Sequence, residues 1–318
     1  MKLKRYIAAI AISVPVILLV VFSTIKSPQS NVKALSPQFT NYWYQGKAEI
    51  SSYILLQSRY GQICEGNAVM IYVTEDFLNA KNVKKENHDI GSGVGQPVLK
   101  LNFTKDFTTG IYPYHMMLSV FSPVNENEYA FALKTSGTVQ EWCGQAYAQT
   151  ISKNNSVFYL SHSYFQNEND FSTNFKKVVQ EDELWNIIRL NPKMLPLGEV
   201  DILPGIWQQR LRHSPIEILE ASCLLSNVSQ LPNWLSVKVK TVLYSIQYKK
   251  DKRKLNIYFE DAFPHKILGW EETYYEGKNS QNETTTRAIW HKTLITDYWN
   301  KNKNEFLFLR DSLGLKKL

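Results

Sequence analysis

Apolar and polar residues alternate along most of this chain with a period of two, as they do in strands that bury one face. Asn41-Tyr42-Trp43-Tyr44 reads as a first strand turning its rings inward, and Ala48 to Tyr60 as a long second one. Gly61 and Gly66 bracket a turn from which Ala68 to Thr74 returns. Val98 to Phe103, Ile111 to Met117 and Tyr129 to Thr135 continue the series, with Pro113 confining its strand to an edge or a strand start. Beyond the polar loop Gln166 to Thr173 the period changes. Leu184, Trp185, Ile187 and Ile188 recur at helical spacing behind Glu181, Asp182 and Glu183, whose charges suit a helix start, and Asn191-Pro192 ends the helix. Short strands then resume at Val200–Leu203, Ile216–Leu224, Ser236–Gln247, Leu255–Phe259, Ile267–Tyr275 and Thr284–Ile295. The pattern predicts a mainly β chain, a twisted antiparallel sheet or sheets with one or two short helices, preceded by an N-terminal transmembrane or signal helix.

The least generic stretch runs from Gly110 to Phe165. Gln145 to Ile151 and Val157 to Phe165 read as a hairpin about Asn154-Asn155, since Asn tolerates the positive φ of tight turns. With those two residues as the loop, Lys153 pairs with Ser156, Tyr147 with His162 and Gln145 with Tyr164. One face then carries Glu141, Cys143, Gln145, Tyr147, Leu160, His162 and Tyr164, the expected site. The other carries Trp142, Gly144, Ala146, Ala148, Tyr159, Ser161 and Phe165, where small residues leave room for rings of a covering layer, the expected core.

Composition adds an address. Ile7 to Ile25 is 19 residues without a charge behind Lys2, Lys4 and Arg5, which matches the roughly 20 residues that cross a bilayer and keeps the amino end cytoplasmic. Residues 1–26 are therefore expected to be a signal peptide or an inner-membrane anchor, and residues 27–40 a polar spacer. Two β-rich halves follow, 41–197 and 198–318, the first closed by the helix, and both face the periplasm. Of the net +7, Lys2, Lys4, Arg5 and Lys26 account for four charges; the remaining excess is too small for a nucleic-acid partner. Lys249 to Lys254 reads as a solvated hairpin tip. Gly91 to Gly95 lacks the following Lys-Ser/Thr and helix of a phosphate loop and reads as surface.

Cys64, Cys143 and Cys223 make no disulfide framework, and none stands at zinc spacing, so no metal and no cofactor are expected. Each cysteine taken alone reads as a small buried side chain. No complete catalytic set is legible. The reading preferred is a tethered binding or assembly module for an envelope lipid, glycan or protein, with Tyr112, Trp142, Tyr147 and Tyr164 as its contact rings. The alternative is a thiol hydrolase or transferase with Cys143 as nucleophile, His115 or His162 as base and Glu141 or a glutamine as the group that orients it. Glu271 and Glu272 point to opposite faces of one strand and form no carboxylate pair.

Several longer motifs carry a resemblance. Trp43-Tyr44 with Gly46 to Ile50, Arg59-Tyr60-Gly61, Tyr72 to Glu75, Thr109 to Tyr114, Val139 to Gly144, Ser161 to Phe165 and Leu307 to Leu315 are similar to those of a Gram-negative envelope and lipoprotein-like family. Many of its members are labelled "septum formation inhibitor Maf". The resemblance covers most of the chain after residue 40 and implies an exported, envelope-bound protein. The chain departs from the lipoprotein members in lacking an acylated cysteine, for which its apolar segment substitutes. The Ser/Pro/Arg-Arg phosphate-binding motif of the Maf nucleotide pyrophosphatases does not follow its first strand.

Overall fold

A computed structural model describes residues 35–86, 93–125, 127–166, 168–276 and 282–315. The expected anchor, the spacer up to residue 34, and Gly91 and Ser92 of the glycine stretch lie outside them. Among the described residues, no helix is long and apolar enough to cross a membrane. Leu35 to Leu318 makes one compact unit.

Sixteen strands form one sheet among the described residues. In chain order they are β1 (Ala48–Arg59), β2 (Gln62–Leu78), β3 (Val83–Lys84), β4 (Gln96–Thr109), β5 (Tyr112–Pro123), β6 (Lys134–Glu141), β7 (Gly144–Ser152), β8 (Ser156–Ser163), β9 (Phe171–Lys176), β10 (Val179–Gln180), β11 (Gly198–Leu203), β12 (Leu219–Asn227), β13 (Thr241–Tyr248), β14 (Lys254–Glu260), β15 (Ile267–Tyr275) and β16 (Glu283–Thr296). The path across the sheet runs β10 to β16, then β1, β2, and β4 to β9, with β3 on β2. Neighbours are antiparallel except β10 and β11. The halves expected on either side of Leu197 share this sheet through the β1–β16 ladder.

An open sheet of this width must curl. Its two edge strands, β9 and β10, are consecutive in sequence, so the curl brings the ends together. Val157, Val178 and Leu203 pack across the seam, and Lys176 on β9 meets Asp201 on β11. The mainly antiparallel sheet therefore closes into a barrel by side chains at one seam and by ladders elsewhere.

Two short helices fill the lumen. All seven residues of α2 (Leu184–Leu190; α1, Pro37–Trp43, precedes the sheet) are buried. Its Trp185 contacts Phe103 and Trp270, and Asn186 donates to Leu99 O and Val120 O, so it touches strands far apart around the ring. Six of the seven residues of α3 (Ile206–Arg212) are buried too. α3 follows β11 at the end of the barrel where the β1–β2, β4–β5, β6–β7 and β13–β14 turns lie, and plugs that end. Gly137 permits its approach, because a Cβ there would come within 2.9 Å of Ile206 Cγ2.

Several expectations are corrected. Residues 37–43, placed in the spacer and a first strand, form α1: Ser36 caps it through Phe39 N–H, Pro37 opens it, and Phe39 and Trp43 are buried. Residues 129–133 precede the strand they were assigned to, which begins at Lys134. Glu181, Asp182 and Glu183 do start a helix, but as buried groups with individual partners. Glu181 takes both Arg253 and Tyr248, Asp182 accepts from Ile206 N–H, and Glu183 accepts from Tyr129 and Ala132 N–H. Arg253, expected on a solvated tip, is 2% exposed because it reaches inward to Glu181 and Glu272. Lys249 and Lys250 do stay on the surface, beside Glu199, Glu220 and Glu217.

Candidate functional site

The β7–β8 register matches the reading of the turn: Tyr147 stands opposite His162, and Lys153 N–H donates to Ser156 O. What the sequence reading misses is the turn before it. Glu141 pairs with Gly144, so Trp142-Cys143 is itself a two-residue hairpin loop between β6 and β7. Glu141 therefore belongs to the face opposite Tyr147 and His162, and Cys143 to no face at all.

That turn moves Glu141 to the other face and leaves the β7–β8 faces as read. The inner face holds Ala146, Ala148, Tyr159 and Ser161, the small-residue wall expected to be core, with Gly137 and Val139 of β6 beside them. α3 covers it incompletely, leaving a cavity of about 340 Å³. This lies within the usual range of ligand pockets, roughly 300–1,000 Å³. The wall is short-chained where neighbouring parts of the lumen are filled by Trp185, Trp207 and Trp270, so the void follows from composition. Ile206, Gln209, Arg210 and His213, with Glu168 and Asn169 from the loop after β8, add to the lining, and the expected site residues Tyr147 and His162 reach its edge.

The polar end of the cavity centres on Arg210. Its side chain is 7% exposed, with Glu141 Oε1 at 3.7 Å and Glu168 Oε2 at 3.6 Å, contacts longer than hydrogen bonds. The guanidinium stacks on Phe165 at 3.7 Å, and Nη1 lies 3.3 Å from His213 Nε2. Its Nε has no hydrogen-bond acceptor. Burial lowers the Arg210 pKa, against the raising effect of Glu168. Glu168 also accepts from Ser163 Oγ at 2.8 Å and meets His213 Nδ1 at 2.5 Å. Tyr159 donates to Gln209 across the cavity.

The other candidate residues fall into three places. Tyr147 and His162 border the cavity and also, with Tyr164, Gln140, Gln145 and Asp170, a shallow outer depression of about 440 Å³, and His162 Nδ1 lies 3.1 Å from Asp170. Trp142 and Tyr112 stack at the turn-bearing rim, centroids 6.3 Å apart. His115 is exposed on β5 and faces Asp106 at 2.8 Å. Cys143 is exposed at its loop tip rather than buried; Cys64 is half-buried, Cys223 is buried, and all three are free thiols. Glu141 accepts from Cys143 N–H, and its carboxylate raises the pKa of the thiol, the reverse of what a nucleophile needs. Both candidate imidazoles face carboxylates other than Glu141, Asp106 for His115 and Asp170 for His162, while Glu141 itself stands beside Cys143. Among the described residues, no three His, Cys, Asp or Glu side chains stand as a metal site.

Arg210, Gln209, His213 and Glu168 are absent from the expected site because α3 went unread. The available signal was Pro204-Gly205 followed by Ile206, Trp207, Arg210 and Leu211 at helical spacing.

No family model, curated protein or solved structure matches this chain. The likeness to the envelope family rests on the motifs quoted above.

Proposed function

We propose that the protein is a binding module of the cell envelope, tethered to the inner membrane by residues 7–25 with its barrel in the periplasm, and that the cavity beneath α3 is its ligand seat. The observation that carries this reading is a wall of Gly137, Ala146, Ala148 and Ser161 that α3 leaves uncovered, lining a cleft of about 340 Å³ that opens to solvent. A concave, largely apolar cleft of this size with a few converging polar groups is the usual form of a small-molecule site. Glycine, alanine, tyrosine and isoleucine surfaces suit an apolar body, and Arg210, Gln209 and Ser161 suit a polar end. Among the ligand classes open to an envelope protein, a lipid-like molecule fits this mixture best.

Titration with 1-N-phenylnaphthylamine, a neutral dye that brightens in apolar surroundings, tests the seat. Wild type should give saturable enhancement at micromolar dye, and Ala148→Phe, which puts a ring into the cavity, should lose it while keeping its melting temperature within a few degrees. Equal enhancement in both proteins, or none in either, would exclude this cavity as the seat.

A further inference from the structure

We propose that the ligand's polar end is uncharged, a hydroxyl, carbonyl, ester or amide group rather than a carboxylate or phosphate; this rests on the reading of the cavity as a ligand seat. A buried arginine in an apolar cavity invites the opposite conclusion, that it receives an anionic head. The surroundings of Arg210 exclude that. Glu141 and Glu168 approach it from two directions, at 3.7 and 3.6 Å, with side chains only 4% and 18% exposed. A second guanidinium, Arg59, donates to Leu211 O beside Arg210 and balances the two carboxylates, so no net positive charge is left over for an anion. An incoming anion would add uncompensated negative charge where water screens it poorly. His213 adds positive charge only when its ring is protonated, and that ring already meets Glu168.

What the site does offer is unsatisfied hydrogen-bonding capacity. Arg210 Nε is buried and makes only a long contact of 3.6 Å with Glu168 Oε2, too far for a good hydrogen bond. A neutral oxygen placed there would take this N–H in place of that contact without adding charge. Ser161 and Gln209 on the same lining can donate to or accept from such a group. Tyr159, Ile206 and the alanine wall supply the apolar remainder. The ligand class is therefore an uncharged amphiphile with one compact polar head.

The test compares two probes of closely similar ring skeleton, neutral 1-N-phenylnaphthylamine and the sulfonate 8-anilinonaphthalene-1-sulfonate. Both are titrated into the full chain at pH 8. The signal lost in Ala148→Phe defines the cavity-specific part, which removes binding of either dye to exposed rings. The sulfonate should bind the cavity at least tenfold more weakly than the neutral dye. Glu168→Gln and, separately, Glu141→Gln should each narrow that gap by removing one negative charge. A gap under tenfold, or a gap that neither glutamine variant changes, overturns the uncharged-head proposal while leaving the cavity as a binding seat. Absence of cavity-specific signal from both dyes overturns the seat itself.

Discussion

Replacing Arg189 with Met should reveal how far the barrel depends on one buried ion pair. Arg189 sits on α2 with its side chain 0% exposed, and donates at 2.7 and 2.6 Å to the two carboxylate oxygens of Glu49 on β1, itself 1% exposed. Its Nε donates to Pro264 O at 2.8 Å. The arginine thus ties the lumen helix to the wall and to the β14–β15 connection. Arg189→Met keeps most of the side-chain volume but leaves Glu49 buried with only Tyr42 and Ser51 as donors. Breaking a buried pair from one side costs about 3–5 kcal/mol, and a chain of this size loses roughly 2–4 °C per kcal/mol, so the melting temperature should fall by roughly 6–20 °C.

The pH dependence sharpens this prediction. Burial alone would push the Glu49 carboxyl up, but Arg189 outweighs it and holds the folded value below the ordinary 4.5. A depressed carboxyl contributes stability that is present above 4.5 and lost as pH falls through the folded value. Without Arg189 burial prevails, Glu49 takes up a proton more readily, and the gap between wild type and Arg189→Met should narrow from pH 7 to pH 5. Glu49→Leu combined with Arg189→Met should recover most of the loss, because no unpaired charge remains. Thermal unfolding followed by tryptophan fluorescence measures all three proteins. A single-mutant loss under about 1 kcal/mol, unchanged across that pH range, would refute the reasoning.

Three further predictions follow from other groups. Burial pushes the Asp182 carboxyl up to about 7 although Ile206 N–H, Arg253 and Lys105 favour its charge. The stability that its protonated form contributes is full below the ordinary 3.8 and lost as pH rises through about 7. Asp182→Asn should therefore gain about 1–3 kcal/mol on wild type between pH 5 and pH 8; a flat difference in melting temperature would contradict this. Alkylation of Cys143 by iodoacetamide should be slow at neutral pH and rise steeply with pH, and Glu141→Gln should speed it at pH 7.5 by removing the carboxylate that disfavours the thiolate; an unchanged or slower rate would count against that cause. Alkaline phosphatase fused after Leu318 should be active and a cytosolic reporter at the same position silent, and the reverse pattern would remove the periplasmic placement.

Much of the architecture could be read in the chain, because strand alternation and turn chemistry are local. The Asn154-Asn155 turn sets the β7–β8 register, and Ile267–Tyr275 has the same bounds in sequence and structure. The elements that went unread are those whose cause lies far away in sequence. Arg253 sits in a run of charged residues, and its burial depends on Glu181, 72 positions earlier. α3 spans fewer than two turns and carries Gln208, Gln209, Arg210 and Arg212, a composition that resembles a loop until the lumen it fills is known. Trp142-Cys143 lacks the Asn or Gly that advertises a tight turn, so the pattern reads as strand through it and Glu141 falls on the wrong face. Tyr147 and His162 share a face as expected, and the small-residue face expected to be core does point inward but is left partly uncovered by α3.

The most direct test of the ligand seat is native mass spectrometry of the full chain, extracted from its own membranes in a mild detergent, beside Ala148→Phe prepared in the same way. A seat for a lipid-like molecule predicts a discrete added mass on wild type that survives gentle activation and is missing from the variant. Wild type and Ala148→Phe appearing at their bare chain masses, or carrying the same adduct, would contradict it.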